Sequence, residues 1–226
     1  MSDIRVRMSR MRKLIARRMH ESLQGSAQLT IVSTAEVGAF ALLRKEWTGE
    51  PRPSYTDAVI RACALALKDH PGINARLDDD AIVQVGEVNI GMAVAVEGGL
   101  VVPVVRGADA LGLAELAGVT RDLAERARTG GLAMADLEGG TFTVTSLGGQ
   151  GVDAFTPVLN APESAILGVG RTRPRAVPAD DGDGGGVRWA QEMTLSLTID
   201  HRVVDGYPGA LFLARVVELL GEPGGL

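Results

Sequence analysis

His201 is the residue of this chain with the clearest capacity for proton transfer. It stands in the stretch DHRVVDG (200–206), four residues before Asp205 and just ahead of a long amphipathic run. An imidazole titrates at about 6.5 in model peptides, so it can take a proton near neutral pH. A histidine at the end of an apolar strand also sits where a scaffold fixes side chains well. From the residues alone, a catalytic turn and a polar loop that happens to hold a histidine remain equally open.

The other candidates are weaker. His20 lies late in an Arg-rich helical stretch, and His70 precedes Pro71 at an expected helix end. A cation suits such ends, so both read as structural. Cys63, the single cysteine, lies in the apolar run DAVIRACALAL and reads as a buried, inert thiol. One cysteine allows no intrachain disulfide, which suits a reducing cytoplasm. No metal site is expected: His201 and Asp205 supply at most two ligands, where zinc takes three or four. There is no G-x-S-x-G elbow for a serine hydrolase. The glycines of NIGMAV and SLGGQGVD lack the GK[ST] of a P-loop. GGQG is followed by Pro157 and Pro162, which interrupt the helix a dinucleotide fingerprint needs. The acidic PADDGDGGGVRW (178–189) reads as a solvated hairpin turn, since a calcium loop needs further oxygen ligands at set positions.

The positioning elements follow from periodicity. Residues 4–9 (IRVRMS) alternate like a short strand. Ser9 can cap a helix running to Gly25, with Met11, Ile15 and Met19 on one face. Residues 28–37 are rich in β-branched side chains and predict a strand, followed by a helix to about Trp47. Thr56 to about Lys68 predicts another helix, closed by His70-Pro71-Gly72. VNIGMAVAVE and LVVPVV flank Gly98-Gly99, a hairpin whose arms are apolar enough to be buried on both faces. A long amphipathic helix closes at Gly130. GTFTVTSLGGQG and SAILGVGR read as strands, and a last helix runs from Pro208 to Gly221. Strands and helices mix without a strict βαβ repeat, which predicts a mixed-sheet α/β layer fold.

At 226 residues the chain can bury a sizeable core, and no composition break or linker divides it, so one domain over 1–226 is expected. Hydrophobic residues at 46% and charged residues at 23% are ordinary globular usage. A net charge of −5 argues against a dedicated nucleic-acid binder. No run reaches the ~18 apolar residues of a membrane span. Residues 1–18 nevertheless hold seven Lys or Arg against one acid, which superficially resembles a transit peptide. Such a cluster can equally be the solvated face of a helix.

DHRVVDG resembles the D-H-R-x-x-D-G signature of the acyltransferase catalytic domains at the core of 2-oxo acid dehydrogenase complexes. Its looser H-x-x-x-D-G form is shared with chloramphenicol acetyltransferase. RMRKLIARRM, VNIGMAVAVEGGLVVPVVRGAD and GTFTVTSLGGQGVDAFTPVLNAPESAILGVGR resemble further family segments in the same order, so the likeness runs along almost the whole chain. The Arg-rich start is thereby family sequence rather than a transit peptide.

The resemblance implies a chloramphenicol acetyltransferase-like two-layer fold, a mixed sheet flanked by helices. It implies transfer of an acyl group between dihydrolipoamide and coenzyme A, the lipoyl group being carried by a separate domain or protein. His201 matches the family's general base, Thr145 the hydroxyl that stabilises the oxyanion, and Asp205 the acid that holds the turn, with Arg12 as its expected partner. Coenzyme A contacts map to Arg5, Ser146 and Gly170. The resemblance further implies a homotrimer, with His201 and Thr145 meeting across a subunit interface, and possibly a larger core. Expected partners are a lipoyl domain, a 2-oxo acid decarboxylase and dihydrolipoamide dehydrogenase. No lipoyl or subunit-binding domain is read in these residues. An acetyl group is favoured, branched-chain acyl groups second; a threonine at 145 also occurs in succinyl-transferring members. A small-molecule O-acetyltransferase of the chloramphenicol type and a non-catalytic core scaffold are the alternatives.

Overall fold

The computed structural model describes residues 3–179 and 186–226. The turn read at 178–189 lies partly outside them. Among the described residues five α-helices and ten strands form in the order α1 (Arg10–Gln24), β1 (Gln28–Glu36), α2 (Gly38–Glu46), α3 (Tyr55–Asp69), β2 (Ala75–Asp78), β3 (Ala81–Gln84), β4 (Ile90–Met92), β5 (Val94–Val96), β6 (Gly99–Val101), β7 (Val104–Val105), α4 (Leu113–Thr129), β8 (Phe142–Ser146), β9 (Ala165–Pro178), β10 (Val187–Asp200) and α5 (Gly206–Gly221). Six strands make one sheet in the order β1-β10-β9-β8-β4-β7. β8 runs parallel to both neighbours, and the other pairings are antiparallel, so the sheet is mixed as expected.

The alternation of β10 builds the two faces. Leu195, Leu197 and Ile199 are fully buried with Phe142 and Phe212 in the helix-side core. Each such side chain contributes about 1.5–3 kcal/mol by leaving water. Ser196, Thr198 and Asp200 point to the opposite face yet are also buried. There the Thr198 and Thr30 hydroxyls bond across strands at 2.8 Å. Part of this face is covered by the loop after β8. Phe155 and Pro157 stand so close over Gly168 that a Cβ would lie 3.0 Å from the Phe155 ring.

Local chemistry fixes the helix ends. Ser9 accepts from Arg12 N and starts α1. Ser54 and Asp57 form a reciprocal capping box on α3, a signal the sequence reading passed over. Gly130 closes α4 in the left-handed region at φ 76°.

Three expectations are corrected. Residues 4–9 are not a strand: among the described residues no strand pairs with them, and Ile4 and Val6 are 88% and 81% exposed. The apolar hairpin is split: β4 and β7 enter the large sheet, while β5 and β6 pair separately and leave Leu100 exposed. Its two glycines also serve different ends. Gly98 takes the positive φ, at 80°, whereas Gly99 leaves room for Met11, whose sulfur would lie 2.7 Å from a Cβ there. Finally, the β2–β3 hairpin was not anticipated.

Candidate active site

The segment after β10 is built by Asp200. Its backbone N–H donates to Ser164 O at 2.9 Å, and its carbonyl accepts from Val203 N and Val204 N, both at 2.9 Å. Its carboxylate accepts from Ala27 N at 3.2 Å and from Arg202 N at 3.1 Å. The Arg202 guanidinium closes the set with bonds of 3.0 and 2.6 Å. Burial pushes the Asp200 carboxyl up, but these bonds and the Arg202 charge outweigh it and hold it below the usual range.

His201 is carried on this frame. Its backbone N–H donates to Ala27 O at 2.8 Å. Its side chain is 47% exposed, and Nδ1 faces Asp205 Oδ1 at 3.6 Å. Among the described residues Nε2 has no hydrogen-bond partner. Asp205 stands at the N-terminus of α5 without capping it through its side chain. Its carboxylate therefore lies by the positive end of a helix dipole and beside the imidazole.

Within one copy Arg12 and Asp205 are not paired: among the described residues no ion pair joins them, and Arg12 is exposed on α1. The aspartate–arginine bond of this turn is Asp200–Arg202, two residues apart in sequence. Sequence reasoning missed it, although Asp200 and Arg202 are the D and R flanking the histidine in DHR. His70 also proves closer to the site than expected. It lines a cavity of about 230 Å³ with Val203, Asp205 and Pro208, and its ring meets Phe212 edge-on at 6.2 Å.

Thr145 lies near the end of β8, opposite Gly168, with a partly exposed side chain that has no hydrogen-bond partner among the described residues. Gly168 in turn pairs with Ser196, five residues before His201 on β10. Five residues of strand and two strand spacings separate Thr145 from His201 by roughly 19 Å within one chain. The structure therefore does not bring the two together in a single copy.

Of the remaining residues, Arg5 lies exposed in the extended segment before α1. Ser146 opens onto a cleft of about 500 Å³ rimmed by Arg52, Arg121 and Arg128. Gly170 is buried, and any Cβ there would collide with the carbonyl of Asp153. That close approach packs the loop after β8 against β9. Burial pushes the Cys63 thiol up, in keeping with an inert sulfur. Among the described residues no group of three His, Cys, Asp or Glu could hold a metal ion. Among the described residues no helix is long and apolar enough to cross a membrane.

The chain is 43% identical over 222 residues to the acetyltransferase component of an acetoin cleaving system from Bacillus subtilis, covering 96% of this chain and 55% of that protein. It is 40% identical to the succinyltransferase component of the 2-oxoglutarate dehydrogenase complex of Rickettsia felis, with 97% and 55% covered. The chain thus spans about half the length of these relatives. A solved dihydrolipoamide acetyltransferase of Azotobacter vinelandii superposes with a TM-score of 0.93 at 32% identity, covering 99% of this chain and 93% of that one. That work concerned the role of a serine, a histidine and an asparagine in its mechanism, the asparagine four residues after the histidine. Asp205 follows His201 by the same interval. Chloramphenicol acetyltransferase shares the fold at 16% identity, with a TM-score of 0.56 over 89% of this chain and 94% of the other. The model of the 2-oxoacid dehydrogenases acyltransferase catalytic domain matches residues 1–226, and the chain belongs to that family.

Proposed function

We propose that this chain moves an acyl group between a dihydrolipoyl thiol and coenzyme A, with His201 as general base and Thr145 as oxyanion donor. The observation that carries this reading is the pinned turn after β10, which presents an exposed imidazole with Asp205 beside Nδ1 and Nε2 unengaged. A thiol of pKa about 8.5 is mostly protonated near neutrality. His201 Nε2 takes its proton as the sulfur attacks the thioester carbonyl. The carbonyl oxygen becomes the tetrahedral oxyanion, and a hydroxyl donor placed for that charge is worth roughly 3–4 kcal/mol. Collapse expels the other thiolate, which recovers the proton from the imidazolium. One thioester replaces another, so the exchange is close to thermoneutral.

Because Thr145 and His201 of one copy stand so far apart, the reacting centre joins His201 of one copy to Thr145 of the next, in a homotrimer. Arg5, Ser146 and Gly170 remain the proposed coenzyme A contacts, and the arginines rimming the Ser146 cleft suit its phosphates. Asp205 orients the imidazole. Lipoyl domain, decarboxylase and dihydrolipoamide dehydrogenase are the proposed partners, in the cytoplasm. Acetyl is the favoured acyl group and branched-chain groups the second choice.

The test is an assay of the purified protein with acetyl-, isobutyryl- and succinyl-coenzyme A, each against dihydrolipoamide and against chloramphenicol. Transfer to dihydrolipoamide, fastest from acetyl-coenzyme A, is expected. Transfer to chloramphenicol alone, or none, overturns the reading.

A further inference from the structure

Glu163 is a buried carboxyl with no part in the proposed acyl transfer. It lies just before β9 and is 7% exposed, with no ion pair reaching it among the described residues. Thr143 Oγ1 donates to its Oε2 at 2.6 Å, and Asn160 Nδ2 donates to its Oε1 at 3.0 Å. Asn160 Nδ2 also bonds Thr143 Oγ1, at 3.3 Å. Gly140 lets the carboxyl come close, since a Cβ there would lie 3.0 Å from Oε1.

This cluster touches both halves of the proposed chemistry. Thr143 is two residues before Thr145 on the same short strand and the same face. Ser164, next to Glu163, accepts from Asp200 N and so anchors the His201 turn. Glu163, Asn160, Ser164 and Asp200 share a cavity of about 350 Å³, through which water can exchange protons with the carboxyl. Of the charged groups lining that cavity, Asp200 pairs with Arg202 and, on α1, Glu21 with Arg17; Arg18 of the same helix also lines it, with no bond to Glu163 among the described residues. On the opposite side Arg106, next to Gly139, donates to the carbonyls of Ala135 and Glu138.

We propose that Glu163 is a positioning residue whose neutral form ties the strand of Thr145 to the anchor of the His201 turn, and whose ionisation loosens both. A carboxylate formed there would be desolvated with no cation bonded to it, whereas the neutral acid avoids that cost and keeps both contacts by turning its own O–H to Thr143 Oγ1 while accepting from Asn160. In keeping with that geometry, burial pushes the carboxyl from an ordinary 4.5 up to about 7, partly offset by the bonds from Thr143 and Asn160. A carboxyl raised in the folded state contributes stability that is fully present below the unfolded value. That stability is lost as pH rises through the folded value. The window therefore runs from about 4.5 to about 7.

The link to catalysis rests on the roles proposed for His201 and Thr145; the link to stability does not. Wild type and Glu163→Gln, which keeps the size and neutrality of the protonated acid, are melted in parallel across this window and up to about pH 8.5. Wild type is expected to lose stability relative to Glu163→Gln as pH rises to about 7, with no further divergence above. In acyl transfer, the ratio of variant to wild-type kcat/KM is expected to rise up to roughly eightfold from about pH 6.5 to about pH 8, the span of one ionisation near 7. Parallel melting curves at every pH overturn the proposal, as does a constant kcat/KM ratio. If wild type transfers nothing, the proposed function fails and the melting curves still decide the role of Glu163. If Glu163→Gln does not fold, the carboxyl carbon of Glu163 is titrated by NMR in the wild-type chain. An inflection near 7 supports the proposal, and one near 4.5 contradicts it.

Discussion

Asp200 gathers six donors around its carboxylate and its backbone carbonyl, and the orientation of His201 depends on it. Asp200→Ala would leave the Ala27 N–H and the Arg202 guanidinium without their acceptor, at a cost of about 1–3 kcal/mol. A thermal melt is expected to show that loss. Because its folded carboxyl is held below the usual range, Asp200 stabilises the fold above the ordinary carboxylate pKa. That contribution disappears as pH falls through the lowered value. Asp200→Asn should therefore flatten the acid side of the melting profile. His201→Ala is expected to cut turnover by about 10²-fold or more while the oligomer survives in size-exclusion chromatography. Thr145→Val is expected to cost about 10²- to 10³-fold in kcat, and Thr145→Ser to retain most activity. His201, Asp205 and Thr145 were legible as candidates through ordered family segments. The Asp200–Arg202 pair was not legible, because an ion-pair partner is chosen by approach in the folded turn and the sequence does not say which acid of DHRVVDG the arginine meets.

At the level of elements, the strands with apolar alternation were readable because a sheet face must be buried. β10 shows this in Leu195, Leu197 and Ile199. The β2–β3 hairpin escaped notice for the opposite reason: Ala75–Gln84 is largely exposed and its turn, Asp78-Asp79-Asp80, carries only charge. Residues 4–9 alternate like a strand but find no pairing strand among the described residues, and alternation alone makes no sheet. Glycines separate into those that bend and those that yield space. Gly170→Ala forces the backbone of Asp153 away from β9 and is expected to lower the melting temperature markedly, as overpacking costs about 1–3 kcal/mol or more. Gly149→Ala, on the 3-10 turn Gly148–Gln150, meets nothing within 4 Å and should melt like wild type.

For the whole molecule, charge and apolar surface are unevenly placed. The basic start of the chain exposes Ile4, Val6, Met8 and Met11, while the chain as a whole is acidic at −5. An exposed apolar run with opposite charge to the rest of its own surface suits a second copy. Removing residues 3–9 is expected to shift sedimentation velocity from trimer toward monomer. The mixed-sheet architecture was legible from the order of strands and helices, but the separation of Thr145 from His201 was not, since register across β8, β9 and β10 is a property of the folded sheet. That separation makes subunit complementation the most direct measurement. Chains carrying only His201→Ala and chains carrying only Thr145→Val are denatured together, refolded and assayed for acyl transfer. Random trimers made in equal parts should regain about a quarter of wild-type turnover, because one interface in four joins an intact imidazole to an intact hydroxyl. Activity no greater than the sum of the two parents would contradict a site shared between copies.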